Sequence, residues 1–87
     1  MGDKRKIQFT DEYISELKDL GKAIRYARKK SGLSLRGLSE ECGVMFYQLS
    51  LIENGKCGTS THTLHRIVNA LNTTVREAYE NLEMEEA

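Results

Sequence analysis

The sequence predicts an all-α fold of five helices preceded by an N-terminal extension. Three observations carry that prediction. The 87 residues contain no proline and no tryptophan but are rich in Leu, Lys, Glu and Arg, which suit helices throughout. Apolar residues recur at spacings of three and four, the signature of a helix with one buried face. Ser, Gly and Asn fall between those stretches, where helices start and stop. The length suits one domain with a modest core. The expected division is a flexible basic arm at 1–9, a helical domain at 10–82 and an acidic tail at 83–87 that frays.

The arm carries Lys4, Arg5 and Lys6, and the alternation in Lys6-Ile7-Gln8-Phe9 also fits a short strand. Thr10 is the expected N-cap of the first helix, with Asp11 and Glu12 in the first turn, where the helix dipole favours acids. Tyr13, Leu17, Leu20, Ile24 and Ala27 form one apolar stripe running to about Lys30. This stretch reads either as one long helix or as a shorter one after a break near 19–21. Arg28, Lys29 and Lys30 complement its negative end, and Ser31-Gly32 stops it.

Ser34 caps the second helix, and Leu33 before it can pack on Leu38 as a hydrophobic staple. Leu35, Leu38 and Cys42 face inward and Gly43 supplies the left-handed stop. Gly37 weakens the interior by ~1 kcal/mol relative to Ala, so close packing is expected there. A third helix is expected at 45–54, with Leu49 and Ile52 inward and Asn54-Gly55 at its end. Ser60 or Thr59 caps a fourth, whose core face is Leu64, Ile67, Val68 and Leu71. After the turn Asn72-Thr73-Thr74, a fifth helix carries Val75, Ala78, Tyr79 and Leu82.

Lys plus Arg number 13 and Asp plus Glu number 13, so the formal net charge is zero, but the charges are segregated. Through Arg36 the chain is mostly basic; beyond it, Lys56, Arg66 and Arg76 face a long series of glutamates. Such asymmetry suits a protein that offers one face to a polyanion, and it equally fits two solvated surfaces. No apolar run approaches a membrane span, Val44-Met45-Phe46-Tyr47 being about the longest. The start lacks a secretory apolar region, and Lys6 stands where a myristoylation motif wants Ser or Thr. A cytoplasmic protein with reduced thiols is expected, Cys42 in the core and Cys57 exposed in a loop.

Leu33-Ser34-Leu35-Arg36-Gly37-Leu38-Ser39, then Gly43-Val44, then Leu49-Ser50-Leu51-Ile52-Glu53-Asn54-Gly55-Lys56, resemble the Cro/CI-type helix-turn-helix family. That family includes phage repressors and xenobiotic-response-element regulators. The resemblance runs without a gap over about 20–79 and takes in Arg28 and the spacing Ser60…Thr63-Leu64…Ile67…Ala70-Leu71. It implies a lambda-repressor-like five-helix bundle, and a partly buried ion pair between Arg28 and Glu53. It also implies sequence-specific binding of double-stranded DNA by a transcription regulator, a repressor, that lays its third helix in the major groove.

With Leu49 and Ile52 inward, Phe46, Tyr47, Ser50 and Leu51 point outward, and with Gln48 they are the candidate base-reading residues. Family members usually carry polar residues there, whereas here three of the four outward positions are apolar or aromatic. Met45 stands in place of the usual Ser or Thr cap, and Leu35 where some members have Gln. Three readings follow. Tyr47 and Gln48 hydrogen-bond bases while Phe46 and Leu51 pack on thymine methyls; or the apolar face docks a protein partner; or the arm residues Ile7 and Phe9, or a second subunit, cover it.

The candidate phosphate contacts are Arg36, Lys56 and the backbone amides near Ser34 and Ser60, with Lys4, Arg5 and Lys6 as a trailing arm. A homodimer is expected, since one unit reads few base pairs, with Val75, Tyr79 and Leu82 as the candidate interface and the first-helix stripe as runner-up. Cys57, His62 and His65 are too few for a structural zinc, so no metal or cofactor is expected. No nucleophile elbow or phosphate loop occurs, and the chain is not expected to be an enzyme.

Overall fold

A computed structural model describes residues 10–86. The arm at 1–9, with Lys4, Arg5 and Lys6, the strand alternative and the covering role of Ile7 and Phe9, lies outside the described residues, as does Ala87. Five α-helices follow in order: α1 (Asp11–Lys30), α2 (Leu35–Cys42), α3 (Phe46–Glu53), α4 (Thr61–Ala70) and α5 (Val75–Glu86). No strand occurs among the described residues.

Each start has a local cause. The Thr10 hydroxyl accepts from the Tyr13 amide at 3.0 Å, Ser34 from Gly37 at 2.9 Å, Ser60 from Thr63 at 3.1 Å and Thr74 from Glu77 at 3.1 Å. These bonds satisfy amide donors that a helix start leaves unpaired. Helix α3 is the exception, since Met45 offers no side-chain acceptor. Its other end is well closed. The Gly55 amide bonds the Ile52 carbonyl and the Lys56 amide reaches back to Leu51, with Gly55 at φ +69°, where a side chain would be strained. Asn72 takes the equivalent left-handed position after α4, at φ 55°.

Helix α1 packs on α3 and α5, α2 packs on α3 and α4, and α4 touches α5. Ile24, Leu38, Leu49, Ile52 and Ile67 are fully buried where these helices meet, and Ala27, Cys42, Val44 and Leu71 complete the cluster. Each such Leu or Ile contributes about 1.5–3 kcal/mol by leaving water.

Helix α1 runs unbroken through 19–21, because Gly21 is buried against the backbone end of α3. Close packing therefore falls at Gly21 rather than at Gly37, where an added Cβ would meet only Ser34 Oγ at 3.2 Å and Leu33 at 3.6 Å. Cys57 is half-buried against the core rather than exposed, since the α3–α4 loop folds inward. The acidic residues Glu83, Glu85 and Glu86 lie on α5, which runs to Glu86. No helix among the described residues is long and apolar enough to cross a membrane.

Candidate nucleic-acid interface

Helix α3 is anchored by Leu49 and Ile52 beneath it and by the buried Val44 before it. The Ser39 hydroxyl donates to the Val44 carbonyl at 2.6 Å, which fixes the turn between α2 and α3. From the other side of α2, Arg66 on α4 donates to the carbonyls of Cys42 and Gly43, both at 3.2 Å, so carbonyls left over at the end of α2 find a cation. The Arg66 link has no local signal in the sequence, because it joins residues more than twenty positions apart, whereas the Ser39 bond spans only the turn itself.

Pinned this way, α3 presents its first turn to solvent. Met45 is 69 % exposed, Phe46 42 % and Tyr47 68 %. Gln48, Ser50 and Leu51 are half-buried, so the open face is narrower than helical spacing predicts and is concentrated at the N-terminal end. Arg36, exposed on α2, lays its guanidinium over the Phe46 ring with Cζ 5.0 Å from the centroid. Lys56 is exposed just beyond the C-terminal end of α3. The hydroxyls of Ser34 and Ser60 are taken up in their own caps, although both residues remain at the surface.

A charge network ties the far end of α3 to α1. Glu53 is only 5 % exposed. Arg28 meets it through two bonds, Nε to Oε2 at 2.7 Å and Nη2 to Oε1 at 3.0 Å, and also donates to the Leu33 carbonyl at 2.9 Å. The planar fork of Arg matches a carboxylate in this way, and Lys could not. Arg25, which sequence reading missed, adds a bond to Glu53 Oε1 at 3.4 Å and one to Asn54 Oδ1 at 2.8 Å. Asn54 in turn donates to the Ser50 carbonyl at 2.8 Å. The spacing of Arg25 and Arg28, one turn apart on α1, is the signal that could have found the second arginine.

The residues considered for a dimer are partly covered by their own chain. Val75, Tyr79 and Leu82 are all half-buried. Tyr79 lines a groove with Tyr13, Glu16, Leu17 and Leu20 of α1. Its phenol pKa is raised above 10.0, first by burial and then by the negative charges of Asp19 and Glu16. His62 and His65 are both exposed on α4, and among the described residues no three His, Cys, Asp or Glu side chains gather around a common point suited to a metal ion.

Known proteins share this arrangement. A family profile described as helix-turn-helix domain matches residues 19–80. The restriction-modification controller protein C.AhdI from Aeromonas hydrophila superposes with a TM-score of 0.70 at 25% identity, over 74% of this chain and 97% of that one. The clp gene regulator ClgR from Corynebacterium glutamicum gives 0.70 at 30% identity, over 82% and 92%. An HTH_3 family transcriptional regulator from Vibrio cholerae gives 0.74 at 25% identity, over 79% of this chain but 39% of that one. No curated protein sequence matches significantly. With five helices in the lambda-repressor-like arrangement and a profile match spanning most of its length, the chain belongs to the Cro/CI-type helix-turn-helix family.

Proposed function

We propose that the protein is a sequence-specific, double-stranded-DNA-binding transcriptional regulator, a cytoplasmic repressor that lays α3 in the major groove and works as a homodimer. The observation that carries this reading is the exposed first turn of α3, held rigidly by the Arg28–Glu53–Arg25 network and by the Ser39 bond to the preceding turn. Its similarity to solved regulators supports the same reading. In this role Tyr47, Gln48 and Ser50 hydrogen-bond base edges, and Phe46 and Leu51 pack against apolar edges. Arg36, Lys56 and the backbone amides near Ser34 and Ser60 bind phosphates, with Lys4, Arg5 and Lys6 trailing along the duplex. Val75, Tyr79 and Leu82 supply the apolar part of the dimer contact, which sets the spacing of two half-sites.

Selection of bound sequences from a random duplex pool, followed by a salt titration, tests it. A recovered consensus with two-fold symmetry and an affinity that falls steeply with salt is expected. Sedimentation at micromolar concentration should give a dimer, and a strict monomer would remove the two-fold model. A second reading is favoured by the exposure of Met45, Phe46 and Tyr47, an apolar surface suited to a protein partner. That interaction-module reading predicts no detectable binding to any duplex even at low salt.

A further inference from the structure

We propose that Arg36 and Phe46 form one specificity element, a guanidinium laid on an aromatic ring, that reads the C5-methyl group of a thymine in the major groove. The inference deepens the DNA-binding reading and rests on it. Phe46 is the first residue of α3 and Arg36 lies in the first turn of α2, so the stack crosses the turn between the two helices. At 5.0 Å from the ring centroid the guanidinium is within cation–π range. It lies over one side of the ring, and a guanidinium carries five N–H donors. Those donors remain available to a phosphate oxygen while the ring is held in place.

What Phe46 leaves open is apolar carbon, at 42 % exposure. On the floor of the major groove one edge group is apolar, the methyl of thymine; the rest are hydrogen-bond donors or acceptors. A phenyl ring matches none of the polar groups, and burying one beneath it unpaired is unfavourable. Cytosine carries only a hydrogen at C5, and beside it an N4 amino donor where thymine has its O4 acceptor, so the ring would meet no methyl there. The charge beside the ring also chooses the kind of partner. An apolar protein surface would have to bury a guanidinium without a counter-ion, whereas a duplex offers a phosphate close to the base edge.

The test uses the full chain and a specific duplex recovered by selection. Each thymine is replaced in turn by deoxyuridine, which keeps the pairing edge and removes only the methyl. One thymine per half-site is expected to lose about fourfold in affinity on replacement, the equivalent of ~0.8 kcal/mol for one buried methyl-sized group. In Phe46→Ala, and in Phe46→Ser as a second variant, that position should become indifferent to uridine while the salt slope stays unchanged. Arg36→Lys keeps the charge but not the planar guanidinium over the ring, and should retain the slope while the uridine effect falls below about twofold. Arg36→Ala should lower the slope by about one phosphate.

A specific duplex indifferent to every uridine replacement overturns the proposal and leaves DNA binding standing. So does a uridine effect that persists in both Phe46 variants. A full effect in Arg36→Lys removes the part assigned to the stack. Failure to recover any specific duplex removes the DNA reading itself, and this inference with it.

Discussion

At the scale of single residues, Glu53 is the side chain whose surroundings are most demanding. It is buried, charged, the last residue of α3, and shared between two arginines of α1. Glu53→Ala leaves Arg28 with its main counter-charge removed in a half-buried place, and the expected cost is about 3–5 kcal/mol. A thermal melt reads it, and an unchanged melting temperature would count against the structural role of the pair. Tyr79 carries the other residue-scale consequence. Its phenol ionises later in the folded chain than in the unfolded one. The folded state therefore holds more protons above the ordinary value of 10.0, and stability falls as pH rises past that value. Below it the contribution is constant. Tyr79→Phe should lose less stability than the parent as pH rises past 10.0, as followed by denaturant unfolding at a series of pH values.

At the scale of elements, the contact between α1 and α3 decides how α3 is held. An added Cβ on Gly21 would come within 2.5 Å of the carbonyl oxygens of Ile52 and Glu53, which are backbone atoms and cannot swing aside. Gly21→Ala should cost about 1–3 kcal/mol by forcing the helices apart, despite the better helix propensity of Ala. Each kcal/mol corresponds to a fall of about 4–8 °C in melting temperature for a domain of this size. Gly37→Ala, by contrast, should be close to neutral in the same melt, because the gain in helix propensity of up to ~1 kcal/mol is offset by one tight contact with the capping Ser34 Oγ at 3.2 Å. The α2–α3 turn depends on long-range help as well, since Arg66 on α4 holds the carbonyls of Cys42 and Gly43, beside the local bond from Ser39 to Val44.

At the scale of the whole molecule, the core and the proposed recognition surface are separated in space. The core lies between the helices, while Met45, Phe46 and Tyr47 stand outside it. Tyr47→Ala removes a ring that is mostly in solvent, so the fold should be unchanged within about 0.5 kcal/mol. Affinity for a selected duplex should nevertheless fall about tenfold or more, as the loss of a well-placed base contact requires. A filter-binding or anisotropy titration beside a melt separates the two effects. Unchanged specific affinity would detach Tyr47 from base reading.

Much of this protein could be read from sequence by itself, because the deciding interactions are local. Hydroxyls three residues ahead of the amides they cap, apolar residues at intervals of three and four, and left-handed stops at Gly43, Gly55 and Asn72 are all short-range signals. They set five helices and most of their boundaries. The Arg28–Glu53 pairing entered through the family resemblance, since the two residues are 25 positions apart. Packing decided the rest. Only the folded chain brings Arg25 to Glu53, Arg66 to the end of α2, Gly21 to the backbone of α3, and Arg36 onto Phe46. The same packing half-buries Gln48, Ser50 and Leu51 and so narrows the open face of α3 to its first turn. The physical reason is one of range. Capping and periodicity act within a turn or two of the chain, whereas exposure and ion pairing depend on which helix lies alongside.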